Sequence, residues 1–344
     1  MRRTCLALAA LVLTACSPGE EREALDESRP PPSLAEPFQA PEGWAWGRLA
    51  PPAGPQLRYG VVAPAGRAAR GDVLILPAYG EPAEVWFETV RDLLAQGWRV
   101  WILERAGQGG AGRFLQPHDL GHSRGFAADA EAVRAMVGQV IRPASGDETA
   151  LLAAGDGAVV ALMAAQAGAD VDLVALSAPA LAPLPDARPW EATLGRIGLG
   201  RLPSLVWRPW SRSEPQDGPA TSSDPRRRAL AHRWETANPD LRLTGPSLGW
   251  RAAFERGRTA ALSDPAAFAG PVLILSAGPA GTEAKGFCEG APDCDIASLP
   301  ASGPAPHLEQ DSIRSLWFER LSAFLAEPHA EAEAKPAEPA PHEM

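Results

Sequence analysis

Short continuous apolar runs alternate with helical patterns from residue 57 to residue 326, and this alternation restricts the chain to a parallel sheet covered on both faces. Residues 72–77 (DVLILP) predict a buried strand, 83–96 an amphipathic helix stopped by Gly97, and 99–103 (RVWIL) the next strand. An Ala-rich helix follows over 126–141. Residues 150–154 (ALLAA) predict a strand that runs directly into Gly155-Asp156-Gly157 and a second Ala-rich helix to about Ala167. Further strands are expected at 172–177 and 272–276, with a closing helix over 312–325. The fold class expected is α/β, a mostly parallel doubly wound sheet. Residues 178–271 have no strand rhythm and carry Trp190, Trp207, Trp210, Trp234 and Trp250, so a helical insertion (about 180–268) is expected over the carboxyl edge of the sheet. There is no internal repeat.

The two ends have a different character. MRRTCLALAALVLTAC begins with Arg2 and Arg3, continues through an apolar stretch too short to span a bilayer, and ends in small residues before a cysteine. Leu13-Thr14-Ala15-Cys16 fits the bacterial lipobox, so residues 1–15 are expected to be a lipoprotein signal peptide and Cys16 the lipid attachment site, the alternatives being a plain secretory signal or a buried N-terminal helix. Ser17 rather than Asp follows the cysteine, which favours the outer membrane as the home of a lipid-anchored, periplasm-facing envelope protein. Residues 16–54 are rich in Pro, Glu and Ser and read as a tether; 327–344 read as a disordered acidic tail holding His329 and His342. The domain proper is expected over 55–326.

Composition narrows the function classes. With 32 Lys+Arg against 42 Asp+Glu, a net charge of −10 and no basic block, the chain is a poor nucleic-acid binder. Its four Cys are scattered and make neither a disulfide-rich scaffold nor a cysteine zinc site. No cofactor or metal is expected.

A sharp glycine-lined turn between strand and helix is the nucleophile elbow of an α/β-hydrolase. Further stretches in the same order carry a resemblance: Glu81 with Glu84-Val85-Trp86-Phe87-Glu88; Gly107-Gln108-Gly109 with Arg113; Gly121-His122 before Phe126; Leu176-Ser177-Ala178-Pro179; Thr221 to Asp224; Asn238-Pro239-Asp240-Leu241; Gly245-Pro246 with Gly249-Trp250; and Cys288, Cys294 and Glu309-Gln310-Asp311 with Arg314. From about 70 to 326 the chain resembles the bacterial lysophospholipases and monoacylglycerol-lipase-like, serine aminopeptidase-like members of the α/β-hydrolase superfamily. The resemblance implies an α/β-hydrolase fold with a helical cap, and lysophospholipid as the family's substrate class.

The reagents of that family are missing from their places. A serine hydrolase needs a serine, a histidine base, an acid that orients it, and backbone N–H groups for the oxyanion. In the register implied by the resemblance, Gly155 stands for the serine, Ala280 for the acid and Pro304 for the histidine. The oxyanion loop reads Pro77-Ala78-Tyr79, with Ala78 for the family's glycine, and Glu104-Arg105-Ala106 departs from Asp-x-Arg.

Substitutes exist. Asp156 satisfies the elbow pattern one residue on, or it is a helix N-terminal carboxylate. Ser123 in Gly121-His122-Ser123-Arg124-Gly125 fits G-x-S-x-G by letter but follows a loop. His307 is the nearest base, with His118, His122 and His232 as the others in the folded part. Glu283 is the nearest acid, on what reads as a shortened solvated loop, and Asp186 a more distant one. Cys288 and Cys294 fit a small disulfide or two reduced thiols; the tryptophans line an apolar pocket above the elbow or simply pack.

Three functions are therefore open: a non-catalytic lipoprotein that binds a lipid-like ligand or an envelope protein, an active carboxylic-ester hydrolase or lysophospholipase with rearranged residues, and a purely structural envelope protein.

Overall fold

The computed structural model describes residues 21–115, 119–144, 146–186, 188–213 and 221–327. The signal peptide, Cys16, His118, His329, His342 and the tail from residue 328 lie outside the described residues.

Eight strands form one sheet in the order β1-β2-β4-β3-β5-β6-β7-β8. They are β1 Ala45–Leu49, β2 Leu57–Val62, β3 Gly71–Leu76, β4 Arg99–Glu104, β5 Glu148–Ala154, β6 Leu173–Ser177, β7 Val272–Ala277 and β8 Cys294–Leu299. β2 is antiparallel to both of its neighbours, and every other pair is parallel. This is the α/β-hydrolase arrangement. Successive residues of the central strands feed two separate cores: Leu74 and Leu76 of β3 and Leu151 and Ala153 of β5 face one side, while Val73, Ile75, Ala150, Leu152 and Ala154 face the other. Helices α1 (Phe87–Ala95), α2 (Phe126–Ala135) and α3 (Gly157–Gln166) follow the expected stretches. α2 and α3 cover the first face and α1 the second.

The insertion is helical, with α4 Pro189–Leu194, α5 Pro225–Arg228, α6 Leu230–Ala237 and α7 Leu248–Ala261. It does not sit only over the carboxyl edge: Trp250 and Phe254 of α7 pack into the α2–α3 core, and Trp234 of α6 packs into the opposite one. Trp234 and Trp250 are thus core residues. α8 (Thr282–Gly290) and α9 (Asp311–Ala326) complete the chain, and Trp317 of α9 is fully buried.

Two expectations need correction. Residues 21–54 are not a tether. Arg22 exchanges backbone hydrogen bonds with Arg113, Leu34 and Phe38 enter the core beside α1, and β1 extends the sheet. Their proline content hid a few well-spaced apolar side chains that bury surface on the body. The segment read as a shortened loop before Cys288 is helix α8, so Glu283 stands in a first helical turn.

Cys288 and Cys294 are bonded, with Cα atoms 5.1 Å apart, clipping α8 to β8. A ring this small removes little chain entropy. Cys288→Ser with Cys294→Ser is expected to cost about 2 kcal/mol in urea unfolding, and an unchanged midpoint would show that the clip contributes nothing.

Candidate active site

β5 ends at Ala154 and the chain turns sharply into α3 through Gly155, whose φ of +51° lies in the left-handed region. The elbow geometry is therefore kept. Gly155 N–H donates to the Ser177 carbonyl at 3.1 Å, and its own carbonyl accepts from Ala180 N–H at 2.9 Å, which fixes the apex against β6. A Cβ at Gly155 would lie 2.8 Å from the Cβ of Ala78. The apex thus has no side chain where the facing loop carries the Ala78 methyl group.

In this fold the oxyanion is held by the N–H of the residue after the nucleophile and by one from the loop after β3. Here the residue after the apex is Asp156, and its side chain turns back across the site. Asp156 Oδ1 accepts from Tyr79 N–H at 2.6 Å, and Oδ2 forms a 2.7 Å ion pair with Arg105. Ala78 N–H donates to Glu81 Oε2 at 3.1 Å. Both N–H groups of the oxyanion loop are thus taken by the protein's own carboxylates. Asp156 occupies the N-cap position of α3, yet its side chain makes no capping hydrogen bond. Arg105 extends from the end of β4, also reaches the Pro77 carbonyl at 3.3 Å, and has 2% of its side chain exposed. With Asp156 equally withdrawn, the pair is a buried charge lock over the oxyanion position.

His307 does not reach into this site. The 3₁₀ turn Pro306–Leu308 directs it inward, where it is 1% exposed and stacks on Trp86 with ring centroids 3.8 Å apart. Neither ring nitrogen has a hydrogen-bond partner, and the nearest carboxylate is Glu81, 3.5 Å from Nε2. Burial, helped by the Arg314 cation, holds its pKa well below the ordinary histidine value, so the ring is neutral. Glu81 is pushed up to about 7 by burial, against the hydrogen bonds from Ala78 and Trp86.

A carboxyl whose folded pKa exceeds its unfolded value stabilises the fold fully below the unfolded pKa and loses that contribution as pH rises toward 7. Glu81→Gln keeps the acceptor without the charge. It is expected to match the wild type near pH 4.5 and to exceed it by about 2 to 3 kcal/mol at pH 8. Urea denaturation at the two pH values checks this, and a pH-independent difference would refute it.

The family follows from the sequence as a whole. A family model described as serine aminopeptidase, S33, matches residues 67–279, more than half of the chain. The chain belongs to this family. No curated protein sequence matches it. Among solved structures, a monoglyceride lipase from Saccharomyces cerevisiae superposes with a TM-score of 0.64 at 18% identity, covering 87% of this chain and 98% of that one. A monoacylglycerol lipase from Paleococcus ferrophilus gives 0.60 at 15%, covering 78% and 98%. A thermostable carboxyl esterase from Bacillus coagulans gives 0.59 at 16%, covering 83% and 98%. These likenesses show that the chain has the α/β-hydrolase fold.

The other substitutes in this S33 chain are scattered. Ser123 lies in a coil before α2, buried, accepting from Gly125 N–H at 3.1 Å. Its hydroxyl also bonds Asp129, a carboxyl that burial raises to about 7. Among the described residues, no histidine ring hydrogen-bonds it. His122 meets Ser247 Oγ at 2.8 Å, where Ser247 caps α7 through Trp250 N–H. His232 stacks on Trp210 at the surface. Asp186 pairs with Arg251 at 3.1 Å.

The loops that would carry acid and base do converge. Pro304, Pro279 and Glu283 line one cleft of about 220 Å³ with Ala178, Pro179 and Ser276. A larger cleft of about 500 Å³ lies away from the elbow, against Ala63, Arg91 and Leu94. The insertion tryptophans line neither.

Sequence reasoning missed Arg105. The departure at Glu104-Arg105-Ala106 was its only signal, and nothing in the spacing pairs it with Asp156. Glu104 itself carries a different load: it accepts from Arg58 at 2.5 Å and from the N–H groups of Ala83 and Gly110.

Proposed function

We propose that this S33 chain is a non-catalytic, lipid-anchored protein of the bacterial envelope, facing the periplasm from the outer membrane. It uses the hydrolase scaffold to bind and not to cleave. The observation that carries the reading is the 2.6 Å hydrogen bond from Tyr79 N–H to Asp156. A carboxylate where the oxyanion must develop repels the charge that catalysis has to stabilise. It coincides with Gly155 at the apex and with His307 sealed against Trp86. Loss of triad members typically costs on the order of 10⁴ to 10⁶ in rate. The lipobox at Cys16 supports the anchor. The cleft beside the elbow loops, about 220 Å³, is smaller than the roughly 300–1,000 Å³ of small-molecule sites, which favours a surface partner over a ligand enclosed at that place.

The purified mature protein is expected to hydrolyse p-nitrophenyl acyl esters, monoacylglycerol and lysophospholipid no faster than buffer, and to take up no fluorophosphonate probe. Turnover abolished by Ser123→Ala, Asp156→Asn or His307→Ala would establish a rearranged hydrolase instead. Mass spectrometry of the N-terminal peptide is expected to find diacylglycerol on Cys16, and an unmodified Cys16 in membrane-extracted protein would remove the anchor.

A further inference from the structure

Among the described residues, every exposed large hydrophobic side chain falls on one stretch of the insertion: Trp190, Ile197, Leu199, Leu202, Leu205 and Val206. Ile197 and Leu205 are 67% and 66% exposed. The stretch is not a loose loop. Leu202 accepts from Leu248 N–H at 2.9 Å, Gly200 from Gly249 N–H at 2.7 Å, and Ser204 N–H donates to Pro246 at 3.0 Å, so it is tied to the start of α7. An apolar cluster displayed on a fixed backbone marks an interaction surface.

Its charge is opposite to that of the molecule. Residues 188–212 contain five Arg and one Glu, in a chain of net charge −10. The single Glu191 is buried and committed to Arg251 at 2.9 Å. Arg188, Arg201, Arg208 and Arg212 are exposed, and none pairs with a carboxylate among the described residues. Apolar side chains mixed with unpaired Arg fit an anionic lipid surface, where the former enter the headgroup boundary and the latter meet phosphates.

The chain's own entry point adds the geometry. Glu21, the first described residue, is five residues from Cys16, so the two lie at most about 17 Å apart along an extended chain. Glu21 pairs with Arg124 at 3.0 Å. Arg124 and Arg201 both bear electrostatically on His122, whose pKa falls to about 4 mainly through burial. Glu21 therefore lies on the side of the body that carries Arg201, and the length of chain to Cys16 keeps the lipid site within reach of that side.

We propose that the face built by residues 190–212 lies on the anionic leaflet that holds the Cys16 lipid. The orientation rests on the anchored reading above; the affinity of the face for lipid does not. The test uses the full mature chain with Cys16→Ser, which carries no lipid, and co-sedimentation with vesicles of phosphatidylglycerol and phosphatidylethanolamine or of phosphatidylcholine alone. Binding is expected to the anionic vesicles, at least about tenfold weaker to phosphatidylcholine, and weakened by 0.5 M salt to a similar degree, about tenfold. Leu202→Glu with Leu205→Glu, and separately Arg201→Glu with Arg208→Glu, are each expected to lower it by about tenfold or more at unchanged thermal unfolding. Arg67→Glu at the distant cleft is expected to leave it unchanged. Equal binding to both vesicle types, or patch variants that bind like the parent, would overturn the proposal. So would a lipid-free dimer that the patch variants split, since the face would then belong to a second copy. Vesicle binding by the Cys16→Ser chain alongside an unlipidated Cys16 in cells would keep the face and remove only the anchor.

Discussion

Arg105→Met is expected to destabilise the protein by about 3 to 5 kcal/mol, because it leaves the Asp156 carboxylate buried without its cation. Asp156→Asn is expected to cost a similar amount for the converse reason, although the amide oxygen still accepts from Tyr79 N–H. The double variant removes both charges and is expected to recover most of the loss, giving a coupling energy of about 2 kcal/mol or more in a urea-denaturation cycle. Additive single effects would mean that the two charges do not sense each other, and the lock over the oxyanion position would be an accident of side-chain placement. The result matters for function because the same carboxylate occupies the catalytic N–H. If the pair supports the fold, the blocked site is maintained by stability and not merely tolerated.

Restoring the triad alone is expected to yield almost no activity. Gly155→Ser meets Ala78 Cβ at 2.8 Å, at a φ that already disfavours a side chain, so it is expected to cost about 1 to 3 kcal/mol until Ala78→Gly reopens the space. With Ala280→Asp and Pro304→His added, nucleophile, acid and base stand on loops that the fold brings near one cleft. Tyr79 N–H would still be bound to Asp156. Adding Asp156→Gly with Arg105→Met to that background frees the N–H without stranding a charge, and esterase turnover is expected to rise by about 10² to 10³. The readout is initial velocity on a p-nitrophenyl ester in the two backgrounds. Equal velocities would show that the oxyanion position is not what limits the scaffold.

Much of the fold was legible because burial is written as period. Strands closed in by helices on both faces need apolar residues without interruption, and 72–77, 99–103 and 150–154 carry them. The edge strands were less visible. β8 has intermediate and exposed positions along its length, and β1 sits in a proline-rich stretch whose composition suggested a tether. There a few side chains, Leu34 and Phe38 among them, decide the outcome by finding the body, and composition does not register that.

The sequence by itself determined the central strands and the family, and it put Gly155, Ala280 and Pro304 where the resemblance expects serine, acid and histidine, because each depends on which residue stands in which local register. Only the tertiary structure decided what replaced them. Asp156 offered two readings as a letter in a turn; folding brought it within 2.6 Å of Tyr79 N–H and 2.7 Å of Arg105, partners 77 and 51 residues away in sequence. His307, the one base near the expected loop, was turned by a 3₁₀ segment onto Trp86 instead of toward the elbow. Hydrogen bonds and charge pairs act over a few ångströms between residues that chain order keeps far apart. Their assignment therefore waits on packing, whereas strand and helix periods are complete within a dozen neighbours.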